Sequence, residues 1–329
     1  MKKQTIRSII HAIIPLTLLV AFAFALYFPE VVNPFMRLQY KSSAGLGTQT
    51  ITLPATEEEG SKKKSKGDVS VVFKLVPAGT APRGCTDVSD GTVVTEEFVL
   101  GETEVTRGLW RAVTSAPSLA SYRFSGLVLC DGDAKLPAVK VSWREAIVFC
   151  NALSELMGNQ PVYYQDSAFL IPVRDPGFLE TRNDALFVRP GSDGFRLPTS
   201  MEWELAARYR DGVEWTPGSN PSGSSVPYYE YARSDIYAVY NAPSIAPVRS
   251  LVSNQLGIFD MSGNAWEWCY DLFVKDSTAV VDDETRIKRI VRGGSWMGNA
   301  YRLQVGGEFG SLPGITEIGQ GFRLARSRW

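Results

Sequence analysis

The chain holds one histidine, His11, and four cysteines, Cys85, Cys130, Cys150 and Cys269. His11 lies inside an N-terminal apolar run, so the rest of the chain has no imidazole to use as a base or a ligand. A Ser-His-Asp or Cys-His nucleophile needs that base, and catalytic zinc and the two-histidine iron site need that ligand. Those chemistries are excluded. The cysteines are widely spaced with no C-x-x-C pair, which argues against a zinc knuckle or a thioredoxin-like site. In an oxidising compartment they allow up to two disulfides, in three connectivities.

Hard-metal chemistry is not excluded. Asp260 and Glu267 bracket the turn at 261–266, and Gly263 lets the chain fold back on itself. Calcium takes six to eight oxygens, so two carboxylates at this spacing can meet at one ion. On spacing alone the preferred reading is an Asx turn at Asp260 with Glu267 paired to a buried arginine. Trp266 and Trp268 flank Glu267 and read as core rather than as a substrate platform. Arg292 and Arg323 adjoin glycines and read as internal ion-pair partners. Between Trp296 and Gly321 the chain carries Met297, Tyr301, Arg302, Glu308 and Phe309, with Leu312 and Ile315, among glycines and a proline. Aromatics and arginine on a rigidly held loop are typical binding anchors, so this stretch is the candidate for partner recognition. Inward packing of Phe309, Leu312 and Ile315 is the competing reading.

These groups need a scaffold. With 329 residues, 44% hydrophobic and 21% charged, the chain can build one large core. A net charge of −1 supplies no basic field for nucleic acid. Lys2, Lys3 and Arg7 precede an apolar run at 9–28, which reads as an N-terminal transmembrane anchor or a signal peptide. Under both readings of 1–28 the rest of the chain is exported. Residues 29–68, with their Ser, Gly and charge blocks, read as a flexible linker, and 69–329 as the folded domain. Val69–Val76 and Thr92–Leu100 have the composition of strands. Three helices have legible starts: Thr106, the capping-box pair Ser142 and Glu145, and the pair Thr199 and Glu202. Cys150 lies on the apolar stripe of the second, and Gly158 stops it. Short strands are expected over 289–296 and 321–326. A few helices on short strands make an α+β domain.

Six segments, in order, resemble the formylglycine-generating enzyme, or sulfatase-modifying factor, family. They are Gly101–Thr106, Pro137–Ala146, Phe195–Glu204, Gly257–Trp268, Arg292–Trp296 and Gly321–Leu324. The resemblance implies a C-type-lectin-like fold of short strands and few helices with much irregular structure. Family members that make formylglycine carry a cysteine pair just after Gly-Gly-Ser, whose thiolates bind copper. Here that stretch reads Gly293-Gly294-Ser295-Trp296-Met297-Gly298-Asn299-Ala300-Tyr301-Arg302, and no cysteine occurs after Cys269. Soft copper(I) wants sulfur ligands, so no copper is expected. The family also implies a structural calcium held by the side chains of Asp260 and Glu267 and carbonyls near Ser262 and Ala265. Variable proteins diversified by bacterial retroelements end in a similar Gly-Gly-Ser-Trp to Gly-Phe-Arg-Leu segment, whose loops bind ligand. The expectation is a membrane-anchored, extracytoplasmic domain of the bacterial cell envelope, non-catalytic, binding a protein or small ligand through its C-terminal loop. An oxidase acting on a cysteine substrate and a structural envelope component are the alternatives.

Overall fold

Local capping chemistry sets where the helices begin. Thr106 accepts the Leu109 N–H at 3.2 Å and opens α1, Arg107–Thr114. Reciprocal capping boxes at Ser142–Glu145 and Thr199–Glu202 open α2, Trp143–Leu156, and α4, Ser200–Arg208. Asp175 caps the short α3, Pro176–Thr181, with proline at its first position. After α2, Gly158 takes φ +72° and closes the helix.

The computed structural model describes residues 39–40, 47–53, 69–230, 234–274 and 287–327, within a unit spanning Leu38–Trp329. The expected anchor or signal segment, 1–28, lies outside the described residues. Among the described residues no helix is long and apolar enough to cross a membrane.

Fourteen short strands are described: β1 Gln39–Tyr40, β2 Thr48–Leu53, β3 Val69–Val76, β4 Gly79–Arg83, β5 Val88–Val94, β6 Phe98–Gly101, β7 Tyr163–Tyr164, β8 Phe187–Val188, β9 Phe195–Arg196, β10 Trp266–Leu272, β11 Arg289–Arg292, β12 Phe309–Ser311, β13 Gln320–Gly321 and β14 Ala325–Ser327. One sheet runs β1-β2-β3-β6-β14-β9 and a second runs β12-β11-β10-β13, with two separate hairpins, β4-β5 and β7-β8. The last described strand, β14, lies between β6 and β9 in the first sheet.

Two expectations change. The expected linker at 29–68 contains β2, which pairs antiparallel with β3 and buries Ile51 and Leu53. Its alternation Thr-Gln-Thr-Ile-Thr-Leu is a half-buried strand pattern that the charge block after it obscures. The expected strand at 92–100 is two strands in different sheets, because the chain bends at 95–97 between β5 and β6.

Indole rings tie the layers together. Trp268 donates to the Val141 carbonyl at 2.8 Å, and Trp143 donates to the Cys269 carbonyl at 3.1 Å. Trp110 stacks on Phe149 at 4.9 Å, with Phe322 edge-on to both. Irregular backbone is held by side chains: Asn151 donates to the Tyr163 and Val173 carbonyls and accepts the Val162 and Tyr163 N–H groups. All four bonding positions of its amide are filled, which satisfies a loop that no ladder serves.

A buried ion hub and an exposed aromatic ladder

The turn at 260–265 is where the loops of the C-terminal third are fastened. Asp260, Gly263 and Asn264 all take positive φ, at +59°, +80° and +59°. Gly263 N–H donates to Gly293 O at 2.8 Å, and Asn264 N–H donates to Val239 O at 2.7 Å. The Ser262 hydroxyl donates to Leu303 O at 2.8 Å and accepts Ser222 N–H at 3.0 Å. One turn therefore fastens Ser222, Val239, Gly293 and Leu303 around it.

Glu267 is fully buried and already has a cation. Arg323 donates Nε to Oε2 and Nη2 to Oε1, both at 2.6 Å, and the Trp203 indole donates to Oε2 at 2.6 Å. Asp260 accepts the Arg249 N–H at 2.8 Å and lies beside Glu104, which accepts from Asn264 at 3.1 Å. Burial pushes the Glu104 carboxyl well above the usual range, and the nearby charges of Asp260 and Glu267 push it further. Asp260 is raised chiefly by burial as well.

Of the calcium set expected at Asp260, Ser262, Ala265 and Glu267, the Glu267 carboxylate is already engaged. Both Glu267 oxygens are taken by N–H donors, and the positive charge at that place is the Arg323 guanidinium. Among the described residues no three acidic, cysteine or histidine side chains gather as a metal site. Millimolar calcium is expected to leave the thermal midpoint unchanged. An ion bound at a hundredfold excess over its Kd would add about 2.7 kcal/mol, so a saturable rise in midpoint, reversed by chelation, would reinstate the ion.

A second buried network crosses from α4 to the C-terminal strands. Arg292 donates to Glu204 Oε2 at 2.8 Å, Glu308 Oε1 at 2.7 Å and Ser200 Oγ at 2.6 Å. Arg208 bonds Glu204 at 2.8 Å and Asp87 at 2.6 Å. Glu308, expected on the recognition loop, is thus tied inward as a counter-ion for Arg292.

Of the other expected ligand-binding residues, Tyr301, Arg302 and Phe309 are in ring contact and Met297 is exposed. Met297 is 48% exposed and Tyr301 is 51% exposed. The Arg302 guanidinium lies 4.3 Å from the Phe309 ring centre and 5.9 Å from that of Tyr301. Phe309 packs edge-on against Trp266 at 5.1 Å, and Tyr301 edge-on against Tyr228 at 5.7 Å, which meets Tyr229 at 5.4 Å. The result is a ladder: Trp266, Phe309, Arg302, Tyr301, Tyr228, Tyr229. Behind it Tyr228 and Tyr240 pack on a small core of Ala238, Ala300 and Leu303. Sequence reasoning missed Tyr228, Tyr229 and Tyr240, whose clustering at 228–240 was the available signal. It also read Trp266 with Trp268 as core. Trp268 is fully buried, whereas Trp266 is half-buried and supports the ladder.

The cysteines are free thiols. Cys150 and Cys269 are fully buried, and burial raises both thiols well above the ordinary range. Cys85 and Cys130 are half-buried and raised by the same cause. Nucleophilic and metal-binding chemistry needs the thiolate, which all four environments disfavour.

Residues 57–328 match the model of the sulfatase-modifying factor enzyme 1-like domain. The chain is 28% identical over 280 residues to the chaperone protein LppX of Paenibacillus barcinonensis, covering 79% of this chain and 91% of that one. It is 34% identical over 152 residues to the formylglycine-generating enzyme of Streptomyces coelicolor, which covers 40% of this chain but only 46% of the enzyme. Among solved structures it is similar to Treponema denticola variable protein 1, with TM-score 0.61 and 29% identity over 85% of this chain and 99% of that one. The match along most of the chain, the shared fold and the six segments agree: the chain belongs to the sulfatase-modifying factor, or formylglycine-generating enzyme, family.

Proposed function

We propose that this chain is a non-catalytic binding domain that uses the face around 296–321 to hold a ligand outside the cytoplasm. The observation that carries the reading is the ladder. At the segment where formylglycine-making relatives resemble one another in a cysteine pair, this chain presents Met297, Tyr301 and Arg302, backed by Phe309 and joined by Tyr228 and Tyr229. Large aromatics held rigidly at a surface give contact area at low entropic cost, which is what recognition needs. The relative matched over nine-tenths of its length is named a chaperone protein, and a binding role for this chain is consistent with that name. Lys2, Lys3 and Arg7 ahead of the apolar run at 9–28 support tethering at the bacterial membrane with the domain exported.

Two measurements on the full chain test this. With copper and oxygen, a Cys-x-Pro-x-Arg peptide is expected to acquire no formylglycine, and stoichiometric conversion would overturn the reading. A random peptide-display pool panned on the protein is expected to yield binders whose retention falls about tenfold or more in Tyr301→Ala, at unchanged thermal midpoint. Binders indifferent to Tyr301 would move the binding surface elsewhere.

A further inference from the structure

Among the described residues, the one cation in the ladder has no counter-charge. Arg292 is neutralised by Glu204 and Glu308, and Arg323 by Glu267. Arg289 is spent on the carbonyls of Tyr270 and Asp184. Arg302 differs: among the described residues no carboxylate lies within ion-pair distance, and its side chain donates no hydrogen bond. None of its nitrogens is among the buried polar atoms left without a partner, so they reach solvent. Rings alone fix its place, Phe309 beneath it and Tyr301 beside it. Each ring is itself held, by Trp266 and by Tyr228.

A guanidinium stacked in this way has already lost much of its rotamer freedom, while its planar fork of N–H donors stays free. That fork matches a carboxylate in bidentate geometry. Glu308 is the nearest acidic residue in sequence, and its bond to Arg292 keeps it from competing. The surroundings limit what else can dock. Glu230 and Asp235 are exposed on the tyrosine side, Asp235 accepting from Tyr240 at 2.6 Å, so a polyanion would meet repulsion there. A small molecule would favour a concave site, and neither of two cavities among the described residues, about 350 and 240 Å³ and both lined by Arg144 and Glu180, is lined by a ladder residue.

We propose that Arg302 receives one aspartate or glutamate carboxylate of a protein partner, whose neighbouring apolar side chains rest on Tyr301, Tyr228, Tyr229 and Met297. This deepens the binding reading above and rests on it.

The test pans a random peptide-display pool on the full chain, its Arg302→Gln variant and its Arg302→Glu variant. Wild-type binders are expected to carry Asp or Glu next to apolar residues. A synthetic binder should lose about tenfold or more in affinity on Arg302→Gln, and equally when its own acid becomes the amide. Arg302→Glu should select Lys or Arg in place of the acid. Binders that need Tyr301 but show no acidic bias would overturn the carboxylate assignment and leave the binding face intact. A pool yielding no Tyr301-dependent binder would overturn both. Displacement of the peptide by heparin fragments at lower concentration than by an acidic peptide would make the partner a polyanion and overturn the proposal.

Discussion

Arg323→Met is expected to lower the unfolding free energy by about 3–5 kcal/mol at pH 8, read by urea unfolding. The pair Arg323–Glu267 has no exposed surface on either side, so removing the cation leaves a carboxylate with neither water nor a counter-ion. The bonds of Arg323 to Gly101 O at 2.8 Å and Phe259 O at 2.9 Å go with it. Glu104 and Asp260 aggravate the loss, because both lie near the same charge. The hub's own pH dependence comes from Glu104. Burial raises its carboxyl in the fold, so its contribution to stability is intact below about pH 4 and is lost as pH rises toward the raised value. Glu104→Gln should therefore flatten the decline in stability above about pH 4. A loss below about 1 kcal/mol for Arg323→Met would show that the hub is hydrated.

Gly263→Ala is expected to destabilise by about 2–5 kcal/mol and to weaken any Tyr301-dependent ligand beyond what stability explains. Gly263 takes φ +80°, where an added Cβ costs energy in itself. The new carbon would also lie about 2.7 Å from Val239 N and 2.9 Å from Val239 C, both backbone atoms that cannot swing away. The segment must shift, and Val239 is bridged to Gly263 one residue before Tyr240. Displacing it separates the Tyr228 side of the ladder from the Tyr301 side, which Asn241 N–H to Gly298 O and Ala242 N–H to Trp296 O otherwise clamp together. Measured on the folded fraction, affinity should fall while the buried indole environment stays native. An unchanged midpoint would mean that the turn relaxes freely.

Local order determined what the sequence could show by itself. The helix starts at Thr106, Ser142 and Thr199 were legible because a cap is a contact across three residues. The lack of any histidine after His11 and of any cysteine after Cys269 was legible because it depends on which residues exist, not on where they lie. The loop carrying Met297, Tyr301, Arg302 and Phe309 could be named as a surface from its composition. Tertiary structure decided the rest, wherever partners lie far apart along the chain. Glu267 has its arginine 56 residues away, a separation that puts this partner beyond the reach of any local pattern. Glu308 and Arg302 lie six residues apart and meet opposite fates. One turns inward to a buried guanidinium and the other lies on a ring with no carboxylate partner among the described residues, since which way a loop side chain points depends on the charge the fold places behind it.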